Sequence, residues 1–137
     1  MSCMAAIQTA NTTSTATATN AAINLGTVQH RQNKCALSGA ASGISLLQSG
    51  YYAVTATVTF TAPTTGVVAV SLQANGQQVI GATAAESVNT ATTEQHTIAI
   101  TGLVYVACGS APVLLTLVNT GIAFTPSNVS ITVVKTK

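Results

Sequence analysis

The stretch that decides the fold is GYYAVTATVTFT, Gly50 to Thr61. Tyr52, Val54, Ala56, Val58 and Phe60 fall on one side of an extended chain, and Tyr51, Ala53, Thr55, Thr57, Thr59 and Thr61 fall on the other. Successive strand side chains point to opposite faces, so this strict alternation predicts a strand with one face in a core. Pro63-Thr64-Thr65-Gly66 then supplies a turn. Next, Val67–Ala74 and Gln77–Thr83 flank Asn75-Gly76. A two-residue type I′ turn needs positive φ at both central positions, so Asn-Gly between two strand-like runs predicts a hairpin.

The same period continues outward. Glu94–Thr101 places His96, Ile98 and Ile100 on one face, and Leu103–Cys108 follows Gly102 as a separate β-rich run. Val113–Asn119 and Val129–Lys135 close the pattern, with a loop from Asn119 to Asn128 holding Phe124 and Pro126. Ala84–Thr93 reads as a polar loop, and His30–Lys34 as a loop carrying charge. No helical period survives anywhere. Many short strands with turns between them predict an all-β sandwich or jelly roll over residues 23–137. Residues 1–22 read differently: Thr9 to Thr19 runs T-A-N-T-T-S-T-A-T-A-T, with no large apolar side chain. Such a segment cannot bury a core of its own, so it is expected to be an extended low-complexity arm, either free or ordered as a strand added to a neighbour.

Charge is scarce. Asp, Glu, Lys and Arg make up 4% of the chain, namely Arg31, Lys34, Glu86, Glu94, Lys135 and Lys137. Ordinary soluble domains carry about 25%. Obligate interfaces are depleted in charge, which predicts that much of this surface lies against other copies or a larger assembly. A net charge of +2 without a basic cluster excludes a nucleic-acid partner. The longest uninterrupted apolar run is Leu103–Cys108, far short of the roughly 20 residues a spanning helix needs, so no membrane partner is expected. The start, Met1-Ser2-Cys3-Met4-Ala5, has no secretory pattern, which predicts assembly in the cytoplasm. Cys3, Cys35 and Cys108 fit no disulfide framework; a Cys35–Cys108 pair stays open.

Gly50-Tyr51-Tyr52-Ala53-Val54 with Val58 and Phe60 resembles the G-x-Y-x-V…V-x-F strand of C1q/TNF-like jelly rolls. Val70–Gly76 resembles the hairpin of that superfamily, and Val129–Lys135 its last strand. The likeness covers residues 24 to 137. It implies a jelly roll of about ten strands that assembles as a homotrimer, in which the tyrosine matching Tyr52 lies at or near the trimer centre. The periodicity of Tyr52, Val54, Val58 and Phe60 supports a plain core role equally. Acidic calcium ligands and a collagen-like stalk are missing. Stalkless, Thr-rich versions resemble bacteriophage head-fibre or capsid decoration proteins.

No enzyme chemistry is expected. Glu86 and Glu94 are the only acids and read as solvated loop charges. There is no Asp and no nucleophile elbow for a Ser-His-Asp triad. His30, His96, Cys35 and Cys108 lack metal-ligand spacing. No cofactor is expected. The expected function is structural: a trimeric virion module, made in the host cytoplasm and anchored to a major capsid or other virion protein by residues 1–22. The alternatives are a receptor- or glycan-binding fibre tip, with Phe124 as the loop anchor, and a trimeric bacterial surface or spore-coat module.

Overall fold

The computed structural model describes residues 5–12, 16–32, 36–89 and 94–136. It contains strands β1 (Ala5–Asn11), β2 (Thr27–Gln32), β3 (Leu37–Ala40), β4 (Gly43–Leu46), β5 (Gly50–Thr61), β6 (Gly66–Ala74), β7 (Gln77–Val88), β8 (His96–Val106), β9 (Val113–Asn119) and β10 (Thr125–Lys135). They form two five-stranded antiparallel sheets, ordered β2-β1-β10-β5-β8 and β3-β4-β9-β6-β7. The two sheets face each other as a jelly-roll sandwich, and no strand pair is parallel among the described residues.

β5 shows why the sequence folds this way. Tyr52, Val54, Ala56, Val58 and Phe60 are all buried between the sheets, as the alternation predicts. Their partners on β10 and β8 keep the same parity: Val54 lies between Val133 and Gly102, and Val58 between Val129 and Ile98. From the other sheet, Val68, Val70, Leu72, Leu115 and Leu117 complete the core. Each large apolar side chain buried this way stabilises the fold by roughly 1.5–3 kcal/mol. The Tyr52 hydroxyl donates to the Gln48 carbonyl at 2.7 Å, which satisfies its one polar atom. Burial pushes its phenol above the ordinary value of 10.0.

Several boundaries differ from the expectation. The strand after Glu94 does not break at Gly102, since β8 runs unbroken to Val106. Gly102 sits where β7 crosses closely: a Cβ there would lie 3.1 Å from the Ala82 Cβ and 3.6 Å from Leu72. The glycine thus marks an approach between sheets, not a turn. β7 extends through Val88, so the expected Ala84–Thr93 loop is largely strand, and β2 takes up His30 and Arg31. β10 begins at Thr125, shortening the expected loop from Asn119.

Within residues 1–22, Ala5–Asn11 forms β1 in the interior of a sheet, paired with β10 on one side and β2 on the other. Ala5, Ile7, Thr9 and Asn11 point inward and are buried. Thr17 and Ala22 bridge to Phe124 and Val118. The Ala/Thr alternation does not build a core alone, but it fills the narrow space over β3, where Gly39 has room for no Cβ against Ile7. The described part of this region is therefore integral to the sandwich and not a separate arm.

Candidate assembly surface

The outer face of the β1-β10-β5-β8 layer follows directly from the registers. One cross-strand row reads Ala6, Val134, Ala53, Leu103; the next reads Gln8, Thr132, Thr55, Thr101; the next Ala10, Ser130, Thr57, Ala99. Beyond them lie Tyr51 opposite Tyr105 at one end and Thr59 opposite Thr97 at the other. No Lys, Arg or Glu points outward from these four strands. The face is graded: threonine-rich towards the start of β8 and apolar towards its end.

The apolar end carries an aromatic pair. The Tyr51 and Tyr105 rings lie 4.7 Å apart and are 43% and 59% exposed. Leu103 beside them is 60% exposed. Around the corner on edge strand β7, Ile80 is 98% exposed. Because β7 residues 79–82 pack over Gly102, Ile80 and Leu103 sit at the same level of the sandwich. Among the described residues, the large exposed apolar side chains are Leu47, Tyr51, Val67, Ile80, Leu103, Tyr105 and Leu114, and all but Val67 lie in the half that holds the β6–β7 hairpin. Scattered apolar side chains are ordinary on a monomer, whereas a grouped set on an uncharged face marks a contact surface.

The residues singled out in the sequence divide as follows. Tyr52, Val54, Val58 and Phe60 lie inside the single chain's core, each 0–1% exposed. The neighbouring Tyr51, on the opposite face, is the exposed one. Asn75 and Gly76 form the expected turn, with φ of 50° and 82°. Their turn is also tied to β9: the Asn75 Oδ1 accepts from the Leu114 N–H at 2.8 Å, and the Asn75 N–H donates to the Leu114 carbonyl at 2.8 Å. Phe124 is fully buried, its ring 5.2 Å from that of Phe60. It cannot act as an exposed loop anchor, because the aromatic pocket beside Phe60 draws it inward. Cys108 is a free, exposed cysteine, and Cys35 lies outside the described residues.

Two polar clusters lie at the other end, each brought together by the fold from separate stretches of sequence. Asn119 is fully buried. Its Nδ2 donates to the carbonyls of Thr17, Ala18 and Ile122 at 3.2, 3.2 and 2.9 Å, and its Oδ1 accepts from the Gly121 N–H at 3.0 Å. One amide thus pins the 16–25 segment and the 120–124 loop to β9. Glu86 and Glu94, read as solvated, both contact His96: Glu86 Oε1 lies 3.3 Å from Nδ1, and Glu94 meets Nε2. Among the described residues no group of three or more His, Cys, Asp or Glu could hold a metal ion, and no helix is long and apolar enough to cross a membrane.

Comparison with known proteins fits this architecture. No protein-family model matches the chain, and no curated protein matches it in sequence. Among solved structures it resembles PRD1 vertex protein P5, with a TM-score of 0.63 and 20% identity over 100% of both chains. It resembles Eiger TNF from S. frugiperda with a TM-score of 0.74 and 12% identity, over 99% of this chain and 94% of that one. It also resembles the globular domain of zebrafish complement 1qA, with a TM-score of 0.65 and 4% identity, over 93% and 94%. The fully antiparallel sandwich ordered β2-β1-β10-β5-β8 over β3-β4-β9-β6-β7, with structural likeness to these proteins over 93–100% of the chain, gives it the C1q/TNF-like jelly-roll fold.

Proposed function

We propose that this chain is a non-enzymatic structural protein of a virion that works as a homotrimer, closed through the outer face of the β1-β10-β5-β8 layer. The observation that carries the reading is the uncharged face ending in Tyr51, Leu103 and Tyr105. Closed homo-oligomers bury such faces symmetrically, and their interfaces are depleted in charge and enriched in aromatic residues. The sequence resemblance to C1q/TNF-like jelly rolls implies three copies. The likeness to a PRD1 vertex protein over the whole length of both chains supports a place on a virion, with assembly in the host cytoplasm.

Contact with a capsid or other virion protein is part of this reading. Since β1 is taken up inside the sheet, that contact is assigned to surfaces other than Ala5–Asn11. The fibre-tip alternative loses the anchor it rested on, because Phe124 is buried. Two measurements test the proposal. The purified chain should have a mass in solution three times its 13.7 kDa, and a monomer would remove the trimer. An antibody to the folded chain should label intact particles from the producing culture; label confined to the soluble fraction would remove the virion assignment.

A further inference from the structure

We propose that Ile80, extruded from edge strand β7, inserts into a groove over Ala6 on the next copy of the chain. The inference rests on the homotrimer reading and names the contact that closes it. β7 pairs with β6 from Gly66↔Val88 to Ser71↔Thr83 and again at Gln73↔Gln78, so the single residue Leu72 faces four residues, Val79 to Ala82. Such a bulge bends an edge strand and re-aims its side chains. Gly81, with a φ of 87°, supplies the left-handed backbone that the excursion needs. Val79 and Ala82 pack against the core, which leaves Ile80 pointing outward and 98% exposed. Interrupting the edge ladder protects β7 from stray strand pairing whatever residue stands at position 80. The isoleucine itself therefore has no role within the single chain.

The receiving groove lies towards the opposite side of the sandwich. On the outer face, Ala6 of β1 stands between the longer Gln32 of β2 and Val134 of β10, and His30, Gln8 and Thr132 form the next row. The short alanine side chain leaves a groove of about 330 Å³, with Arg31 at its β2 border. It is continuous with the face assigned above to assembly. Projection and groove also stand at one level. Ala6, Val134, Ala53 and Leu103 form one cross-strand row, and Ile80 is level with Leu103 because β7 packs over Gly102. β7 and β8 lie at one side of the sandwich, β2 and β1 towards the other. A head-to-tail contact between two different patches makes a ring where the rotation closes and a filament where it does not. Patches at one level on opposite sides need no rise along the axis, so they suit a ring. A second copy is thus the occupant that the geometry selects, and seating Ile80 there removes its side chain from water.

Methyl NMR on the full wild-type chain tests the contact without a variant. Copies labelled on isoleucine methyls are mixed and reassembled with copies labelled on alanine methyls, so that any cross-peak between the two labels runs between chains. The Ile80 δ-methyl should show a nuclear Overhauser contact to the Ala6 methyl of another copy. A trimer lacking that contact would overturn the insertion and leave the trimer standing, whereas a chain that stays monomeric would remove both. Ala6→Phe, which fills the groove, should raise the dissociation constant of the assembly at least about tenfold on dilution. A folded Ala6→Phe chain with an unchanged dissociation constant would also overturn the proposal.

Discussion

The two ends of the sandwich solve opposite problems. At the end holding Asn119 and His96, polar groups gather inside the chain: one buried amide makes four hydrogen bonds, and both carboxylates lie against one imidazole. At the hairpin end, Tyr51, Leu103 and Tyr105 leave apolar area in water on a layer without outward charge, and Ile80 is exposed beside them on β7 of the other sheet. The first end is complete as a monomer. The second leaves apolar area uncovered, which is why the proposed assembly is assigned to the hairpin end and the face that leads to it.

This contrast can be broken or sharpened by substitution. The largest effect is expected for Phe124→Ala at the self-contained end. It empties a fully buried site against Phe60 and should cost about 3–5 kcal/mol in urea unfolding. A near-neutral result would return Phe124 to the surface. Asn119→Ala should come next, at about 2–3 kcal/mol, because it strands several buried carbonyls and the Gly121 N–H. Its denaturant midpoint should fall while the oligomeric mass stays unchanged. Asn75→Ala loses both the residue suited to a φ of 50° and the bond to Leu114, and about 1–2 kcal/mol should follow. Ile80→Thr should alter unfolding by no more than about 0.5 kcal/mol, since the side chain touches almost nothing within the chain. If Ile80 is covered in the assembly, its substitution should instead show as a raised dissociation constant by dilution.

What could be read from the sequence follows from what each signal measures. Alternation in Gly50–Thr61 reports burial on one face, and the structure buries Tyr52 to Phe60 as that pattern demands. Asn75-Gly76 reports local backbone geometry, and both residues adopt positive φ. The run from Thr9 to Thr19, without a large apolar side chain, predicts an arm over residues 1–22, yet Ala5–Asn11 forms an interior strand whose inward side chains are Ala5, Ile7, Thr9 and Asn11. Composition reports whether a segment can form its own core, not whether a prepared slot between β10 and β2 awaits it. Gly102 carried a strand-break signal whose cause was a crossing by Ala82, visible only in three dimensions. Glu86, Glu94 and His96 meet because β7 ends and β8 begins at one corner of the sandwich, in opposite sheets, which alternation within either strand does not report. The outward face of β5 was legible as Tyr51 and alternating threonines. Its extension through Leu103, Tyr105 and Val134 needed the register.

The central claim is that this uncharged face joins copies of the chain. The most direct test is the mass in solution, by light scattering, of the wild type beside a Leu103→Lys, Tyr105→Lys double variant. Both positions are more than half exposed within the chain, so the charges should leave the fold and its circular dichroism unchanged. The wild type should be a trimer and the folded variant a monomer, since two buried lysines per copy could not be paired there. A folded variant that remains a trimer would contradict the account and move the interface to another face.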